Sequence, residues 1–420
     1  MRRSPTGTDP SRAASARLWA WVALAFVILM ITMGARQTVG LFVQPISADK
    51  GLSIAEVSLA LAVGQLVWGI FQPVFGLWAD KGGAFAAMCT GVLCTAAGQL
   101  LTIWADSIFS LTLAQGILAP LGAAAGSFPL LIGLVSAKIP QETRSVASGI
   151  INAGGSLGQF IFAPLAQFAI HLRGYYAGLV FLAGAVLLTL IPARPLCRTR
   201  ERAREPLPPA GGTPELPALA RQGLKEQLGL ALRTPSYILL HCGFFTCGFH
   251  VAFLTTHLPG EIALCGHSGA VSAMSISLIG LSNVVGSLGV GFLGRRFRLK
   301  ILLAWIYAGR AAMIALYLAS PKTEMSFYLF ALGTGLSWLA TVPPTSGLVG
   351  KLFGVRYLST LFGLTLLTHQ VGAFIGVWLG GLAMSQANSL LWVWYVDIAL
   401  ALFAALVNLP VKEDRPARPR

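Results

Sequence analysis

Hydrophobic residues in this chain gather in twelve long runs, separated by short polar stretches. The first six cover 18–46, 54–78, 84–105, 107–137, 145–170 and 175–193; the second six cover 236–260, 268–293, 299–320, 326–349, 357–385 and 389–410. Each is close to the ~20 residues with which a helix crosses about 30 Å of hydrocarbon. The stretch 194–235 is rich in Pro, Arg and Glu and reads as a solvent-exposed connector, with a short amphipathic helix near 219–232. The pattern predicts an all-α membrane protein of twelve transmembrane helices. Its parts are a tail (1–17), a six-helix bundle (18–193), the connector (194–235), a second six-helix bundle (236–410) and a C-terminal tail (411–420).

The two sets of runs echo each other. Gly76-Leu-Trp-Ala-Asp80-Lys81 follows run 2, and Gly291-Phe-Leu-Gly-Arg295-Arg296 follows run 8. Run 5 opens at Arg144 and carries Gly154-x-x-x-Gly158; run 11 opens at Arg356 and carries Gly372-x-x-x-Gly376. Aligning the two glycine pairs sets Asn152 opposite Gln370. Six-helix halves joined by a connector suggest a parallel repeat about an axis along the membrane normal. Small residues four apart let helices approach closely, so most of these glycines are expected to serve packing.

Composition agrees: 55% of residues are hydrophobic and 11% charged, too few charges to cover a soluble protein of this length. The net charge of +15 raises the question of nucleic acid, but the basic residues lie in loops and tails, so no nucleic-acid partner is expected. With the N-terminus in the cytoplasm, Lys81, Lys138, Arg144, the connector arginines, Arg295, Arg296, Arg298, Lys300, Lys351 and Arg356 all fall inside. Only Lys50, Arg173 and Lys322 remain outside. Arg2, Arg3, Arg12 and Arg17 imitate a signal peptide, but the run that follows is too long and lacks a cleavage site. No cysteine pair has zinc spacing, and no Gly-x-x-x-x-Gly-Lys-Ser/Thr is present, so no metal or cofactor is expected.

The candidate chemistry is sparse. Arg36 lies inside the first run, where a charge costs about 2.5–3.5 kcal/mol on insertion scales and usually faces a cavity or partner. A planar guanidinium suits a carboxylate, or it clamps an internal carbonyl. His250, in run 7, either carries a coupling proton or is a buried neutral imidazole. His257 lies one heptad later towards the outer end, as a gate residue or a packed one. His369, Gln370 and Asn152 either hold a substrate between the halves or bond helix to helix. Arg310 and Asp397 lie in runs 9 and 12, where a mutual ion pair is one reading. Trp338, Thr341, Pro343, Pro344 and Thr345 suggest a bent tenth helix.

Gly76-x-x-x-Asp80-Lys81-x-Gly83, its echo at 291–297 and the six-plus-six layout resemble the major facilitator superfamily. Arg144-x-x-Ala147-x-Gly149-x-x-x-x-Gly154-x-x-x-Gly158 is similar to the fifth-helix motif of its monocarboxylate porters. The stretches 36–42, 247–259 and 369–372 look like a bacterial branch related to those porters and to oxalate/formate exchangers. The resemblance implies two pseudo-symmetric bundles with helices 1, 4, 7 and 10 around a cavity, and an inter-helix charge cluster at Asp80 and Lys81, with Arg144 and Arg356 as partners, that holds one access state. Relatives often carry Asn followed four residues later by a substrate-binding Arg in helix 8. Here Asn283 is present and Ser287 replaces the Arg, which moves anion binding to Arg36.

The expectation is a secondary transporter of a small organic solute, foremost an organic anion such as a monocarboxylate, working by alternating access with proton coupling or exchange. It would act as a monomer in a bacterial inner membrane, with both termini cytoplasmic and the lipid bilayer and protons as its other partners. Efflux of amphipathic compounds is the alternative. A receptor without flux is more remote, as is a membrane enzyme, which would need His or carboxylate clusters that the runs lack.

Overall fold

A computed structural model describes residues 10–136, 138–202, 223–294, 296–354 and 357–413. Twelve helices among them are long and apolar enough to cross a membrane. Numbered as spans 1 to 12, they are Leu18–Gln37, Ile54–Trp78, Ala84–Trp104, Ile108–Ser136, Val146–Arg173, Tyr175–Cys197, Pro235–Leu264, Gly269–Leu293, Leu299–Ala319, Glu324–Phe353, Thr360–Ala387 and Leu391–Asn408. Local chemistry sets several boundaries. Ser53 opens span 2 with a capping box: its hydroxyl accepts from Glu56 N–H, and the Glu56 carboxylate accepts the Ser53 N–H at 2.8 Å. Spans 2 and 3 are joined not by an open loop but by a π-helical turn, Ala79–Gly83.

Span 6 runs past the expected edge at 193, and its helix continues to Arg202. Leu196 and Cys197 are buried in the first half's core, and the Lys138 ammonium donates to the Leu196 carbonyl. The connector helix forms at Leu224–Arg233, inside the expected stretch, and Gln227 ties it to the Phe353 carbonyl at 2.8 Å.

The repeat is visible in the packing. Span 1 packs on 5 and span 7 on 11; span 2 on 4 and 8 on 10; span 3 on 6 and 9 on 12. Adding six to each number converts one half into the other. The halves meet through spans 2 and 11 and, symmetrically, through 8 and 5. The glycine pairs act within each half, where span 5 crosses span 1 and span 11 crosses span 7. A Cβ on Gly154 would stand 2.7 Å from the Phe26 carbonyl of span 1, and Gly372 and Gly376 face the Phe245 and Phe249 carbonyls of span 7.

The inter-half contacts are concentrated away from the termini. Ala55 N–H donates to Ser385 (3.0 Å), Ser277 to the Phe160 carbonyl (2.7 Å) and Asn283 to Ser156 (2.7 Å). Gly40 lies directly on the Thr255 and Thr256 carbonyls of span 7. Towards the end that carries the termini, Gly76, Gly149, Gly289 and Gly363 have nothing within 4 Å of a Cβ position. The halves therefore close at the far end and separate towards the terminus end.

Two spans are broken at mid-depth. The first run was expected to form one helix through 46; instead the helix stops at Gln37 and resumes as Gly40–Lys50. The Thr38 hydroxyl takes the Ala35 carbonyl (2.9 Å), a local bond that competes with the helix ladder. Span 10 breaks between Ser337 and Val342. Pro343 and Pro344 follow the gap and remove two ladder donors.

Candidate functional site

The broken first span places Arg36 in the last turn of its inner helix, where a cation also complements the helix dipole. Its guanidinium donates to Gln65 Oε1 and stands over the Trp68 ring, 4.1 Å from the centroid. Gln65 and Trp68 are three residues apart in span 2 and so share one helix face. The Trp68 indole N–H is buried without a partner. These groups line a cavity of about 160 Å³ between the halves, to which span 7 contributes Val251 and Thr255, span 10 Leu339 and span 11 His369 and Gln370. Spans 2, 3, 6 and 11 join 1, 4, 7 and 10 in its wall, so the cavity is wider in composition than the four expected helices. Among the described lining residues Arg36 alone carries a fixed charge.

This arrangement can hold an anion. The only polar partner of Arg36 among the described hydrogen bonds is a neutral amide, so its charge has no counter-carboxylate there. Lining residues such as Gln37 and Thr255 add neutral polar groups beside it. Groups that could ligate a metal do not cluster among the described residues.

The other candidates separate into three groups. His369 and Gln370 line the cavity, and Gln370 Oε1 is buried and unpaired. Gly69 permits this, since its Cβ position falls 2.6 Å from Gln370 Cγ. Asn152, its partner by the repeat, is half-buried in span 5 and does not line the cavity. His250 and Asn283 stand behind the cavity wall. The His250 ring turns to span 12, where Nδ1 lies 2.7 Å from Asp397 Oδ2 with both side chains buried. The Arg310–Asp397 pair considered from sequence is replaced by this one: spans 9 and 12 do pack together, but the Arg310 guanidinium turns to span 10. Arg310 instead donates to the Ser337 and Trp338 carbonyls, the latter at 2.6 Å, that the break in span 10 sets free. Asn283 spans the same break: its Oδ1 accepts the Leu339 N–H at 3.0 Å while its amide donates to Ser156 of the other half.

His257 is buried at the far end, its Nε2 2.8 Å from the Val377 carbonyl and its ring against Gly380. Lys81 is exposed on the π-helical turn. The Asp80 and Arg144 side chains, and Arg356 altogether, lie outside the described residues. Sequence reading missed Gln65 and Trp68. Their signal was present, a Gln three residues before a Trp inside an apolar run, but only the packing of spans 1 and 2 joins them to Arg36.

Comparison with known proteins places this geometry in a family. The family model described as Major Facilitator Superfamily matches residues 24–377. Monocarboxylate transporter 13 of Bos taurus is 27% identical over 372 residues, covering 86% of this chain and 82% of its own. The oxalate:formate antiporter of Oxalobacter formigenes is 21% identical over 432 residues, covering 98% and 95%. An uncharacterized MFS-type transporter of Bacillus subtilis, YcxA, is 21% identical over 409 residues, covering 93% and 94%. Twelve spans in two six-helix halves, two broken helices at mid-depth and a family match across most of the chain agree: this multi-pass membrane protein belongs to the Major Facilitator Superfamily.

Proposed function

We propose that this protein carries small organic anions, foremost monocarboxylates, across the membrane by alternating access, and performs no chemical conversion. The observation that carries this reading is Arg36: a guanidinium lining a mid-depth cavity with a neutral amide as its polar partner and no carboxylate among the described lining residues. A carboxylate entering there would meet the free N–H edge of the guanidinium and offer an acceptor to the Trp68 N–H. The anionic substrates named for two of the relatives support the same class. An amphipathic cation would have to sit against Arg36, so efflux of cationic compounds is disfavoured by charge.

In this reading residues 18–193 and 236–410 are the two rocking units, and the far-end contacts are the closed gate. Asp80, Lys81, Arg144 and Arg356 would hold the terminus side in the opposite state, and His257 would secure the far-end seam. The basic residues of the terminus-side loops support a cytoplasmic terminus side, in a bacterial inner membrane. One chain encloses the whole cavity, which is consistent with action as a monomer, and a proton or a counter-anion would supply the driving force. The test is a thermal-shift screen of purified protein against formate, acetate, lactate, oxalate, organic cations and neutral metabolites. A ligand that binds the folded state raises its apparent stability, and the expected response is confined to the anions. Stabilisation by cations alone would refute the reading.

A further inference from the structure

The strongest feature outside the cavity is a buried polar cluster in the second half. His250 Nδ1 and Asp397 Oδ2 are 2.7 Å apart, and the two residues are fully buried. The far atoms of the pair, His250 Nε2 and Asp397 Oδ1, have no partner. With Asp397 ionised, and so only accepting, Nδ1 carries the proton of this bond and Nε2 is a free, buried lone pair. Leaving such an acceptor empty is costly unless it is used. The ionisable side chains that interact with Cys247, one turn before His250 in span 7, are Arg310 and Tyr307 of span 9 and His369 of span 11. Arg310 donates through Nη2 to the span 10 carbonyls, its Nε and Nη1 being without a partner among the described residues, and Cys247 lies 3.1 Å from the Thr341 hydroxyl.

We propose that the His250–Asp397 pair is a proton-binding site, distinct from the anion cavity and coupled to it. The proton adds to the His250 Nε2 lone pair, and Nδ1–H stays bonded to Asp397. The charge count gives the coupling. With neutral His250, Asp397 and Arg310 cancel; with the proton bound, the cluster carries one excess positive charge in a low-dielectric interior. A monovalent anion in the cavity offsets that charge, so the loaded carrier holds one proton per anion. The link is short. Val251 and Ala252, the next residues in span 7, line the cavity. The His250 ring also stands 6.0 Å from Trp338, whose neighbour Leu339 lines it too, at the break in span 10. The proposal rests on the organic-anion reading for its coupling, but the proton site itself does not.

Two measurements test the pair of claims separately. The first reads the site without substrate: Trp338 fluorescence, taken as wild type minus Trp338→Phe, is followed against pH in purified protein. A protonated imidazole beside an indole quenches it, so a sigmoidal quench on acidification is expected, abolished in His250→Gln and displaced in Asp397→Asn. A pH-independent Trp338 signal in the wild type overturns the site, whether or not the variants fold. The second uses proteoliposomes with labelled formate and lactate. An inside-alkaline gradient should drive at least tenfold accumulation in the wild type. His250→Gln and Asp397→Asn should lose it while counterflow falls no more than a few-fold. Accumulation retained in both variants overturns the coupling. Absence of counterflow in the wild type counts against the anion reading, and the fluorescence titration then decides the proton site alone.

Discussion

The Arg36 guanidinium and the Trp68 ring stack at 4.1 Å, one from each of the first two spans. The contact does two things at once. It screens the guanidinium on one side with a polarisable face, and it holds the fork at the cavity wall. Substitutions should separate these roles. Arg36→Lys keeps the charge but loses the fork, and should weaken anion uptake by about 10-fold or more; Arg36→Ala should nearly abolish it at unchanged expression. Trp68→Leu removes a cation–π contact of about 0.5–2 kcal/mol and should raise KM about 2- to 30-fold with a smaller change in kcat. Initial-rate uptake of labelled formate or lactate reads all three.

Closure of the far end depends on Gly40. A side chain there would collide with the Thr255 and Thr256 carbonyls, and backbone has no room to yield. Gly40→Val is expected to hold the far end open and cut transport at least tenfold. In a cysteine-free background, Gln44→Cys should then label faster with a membrane-impermeant maleimide. Wild-type transport with unchanged labelling would remove Gly40 from the gate.

Asn283 joins three helices, accepting from Leu339 N–H and donating to Ser156. Asn283→Ala leaves a buried backbone donor unpaired, which costs about 1–3 kcal/mol. The melting temperature should fall by several degrees. Asn283→Asp, which keeps the acceptor for Leu339 but not the donor for Ser156, should recover less than the full loss.

Stability should also depend on pH at the terminus end. Glu413 accepts from Lys351 Nζ (2.7 Å) and from Lys300 N–H (3.1 Å), tying the residues after span 12 to spans 9 and 10. Burial alone would raise its carboxyl, but these bonds, with the positive charges of Lys351 and Arg298, hold it below the usual range. A carboxyl depressed on folding stabilises the fold above its ordinary range and loses that contribution as pH falls through its folded value. Lys351 is 48% exposed, so the effect is under about 1 kcal/mol. Glu413→Gln should lower the melting temperature by a degree or two at pH 7 and by nothing at the acid end of the profile. An equal loss at every pH would mean the bridge acts through shape rather than charge.

The helices were legible in the chain because hydrocarbon thickness imposes a length on every run, and the repeat because glycine pairs recur where spans 5 and 11 cross 1 and 7. Arg36 was legible for the same reason: a charge in an apolar run has few places to go. Its partners were not, since Gln65 and Trp68 become a site only when span 2 turns one face to span 1. The break at Thr38 and Val39 was hidden because neither residue is a strong helix breaker; the tight crossing at Gly40 is a tertiary fact. His250 was legible as a buried imidazole of interest but not as a partner of Asp397, 147 positions away, which requires knowing that the His250 ring turns to span 12. Arg310 looked like an ion-pair partner because the carbonyls it serves appear only once span 10 has broken.

The most direct test of the account is calorimetric titration of formate, lactate and oxalate into purified wild-type protein and Arg36→Gln. Gln is close in reach, keeps an amide donor and removes the charge. Binding of at least one of these anions to the wild type is expected, weakened by rising ionic strength, with a loss of about 30-fold or more in Arg36→Gln, equivalent to ~2 kcal/mol or more. Equal anion affinity in the two proteins would contradict it.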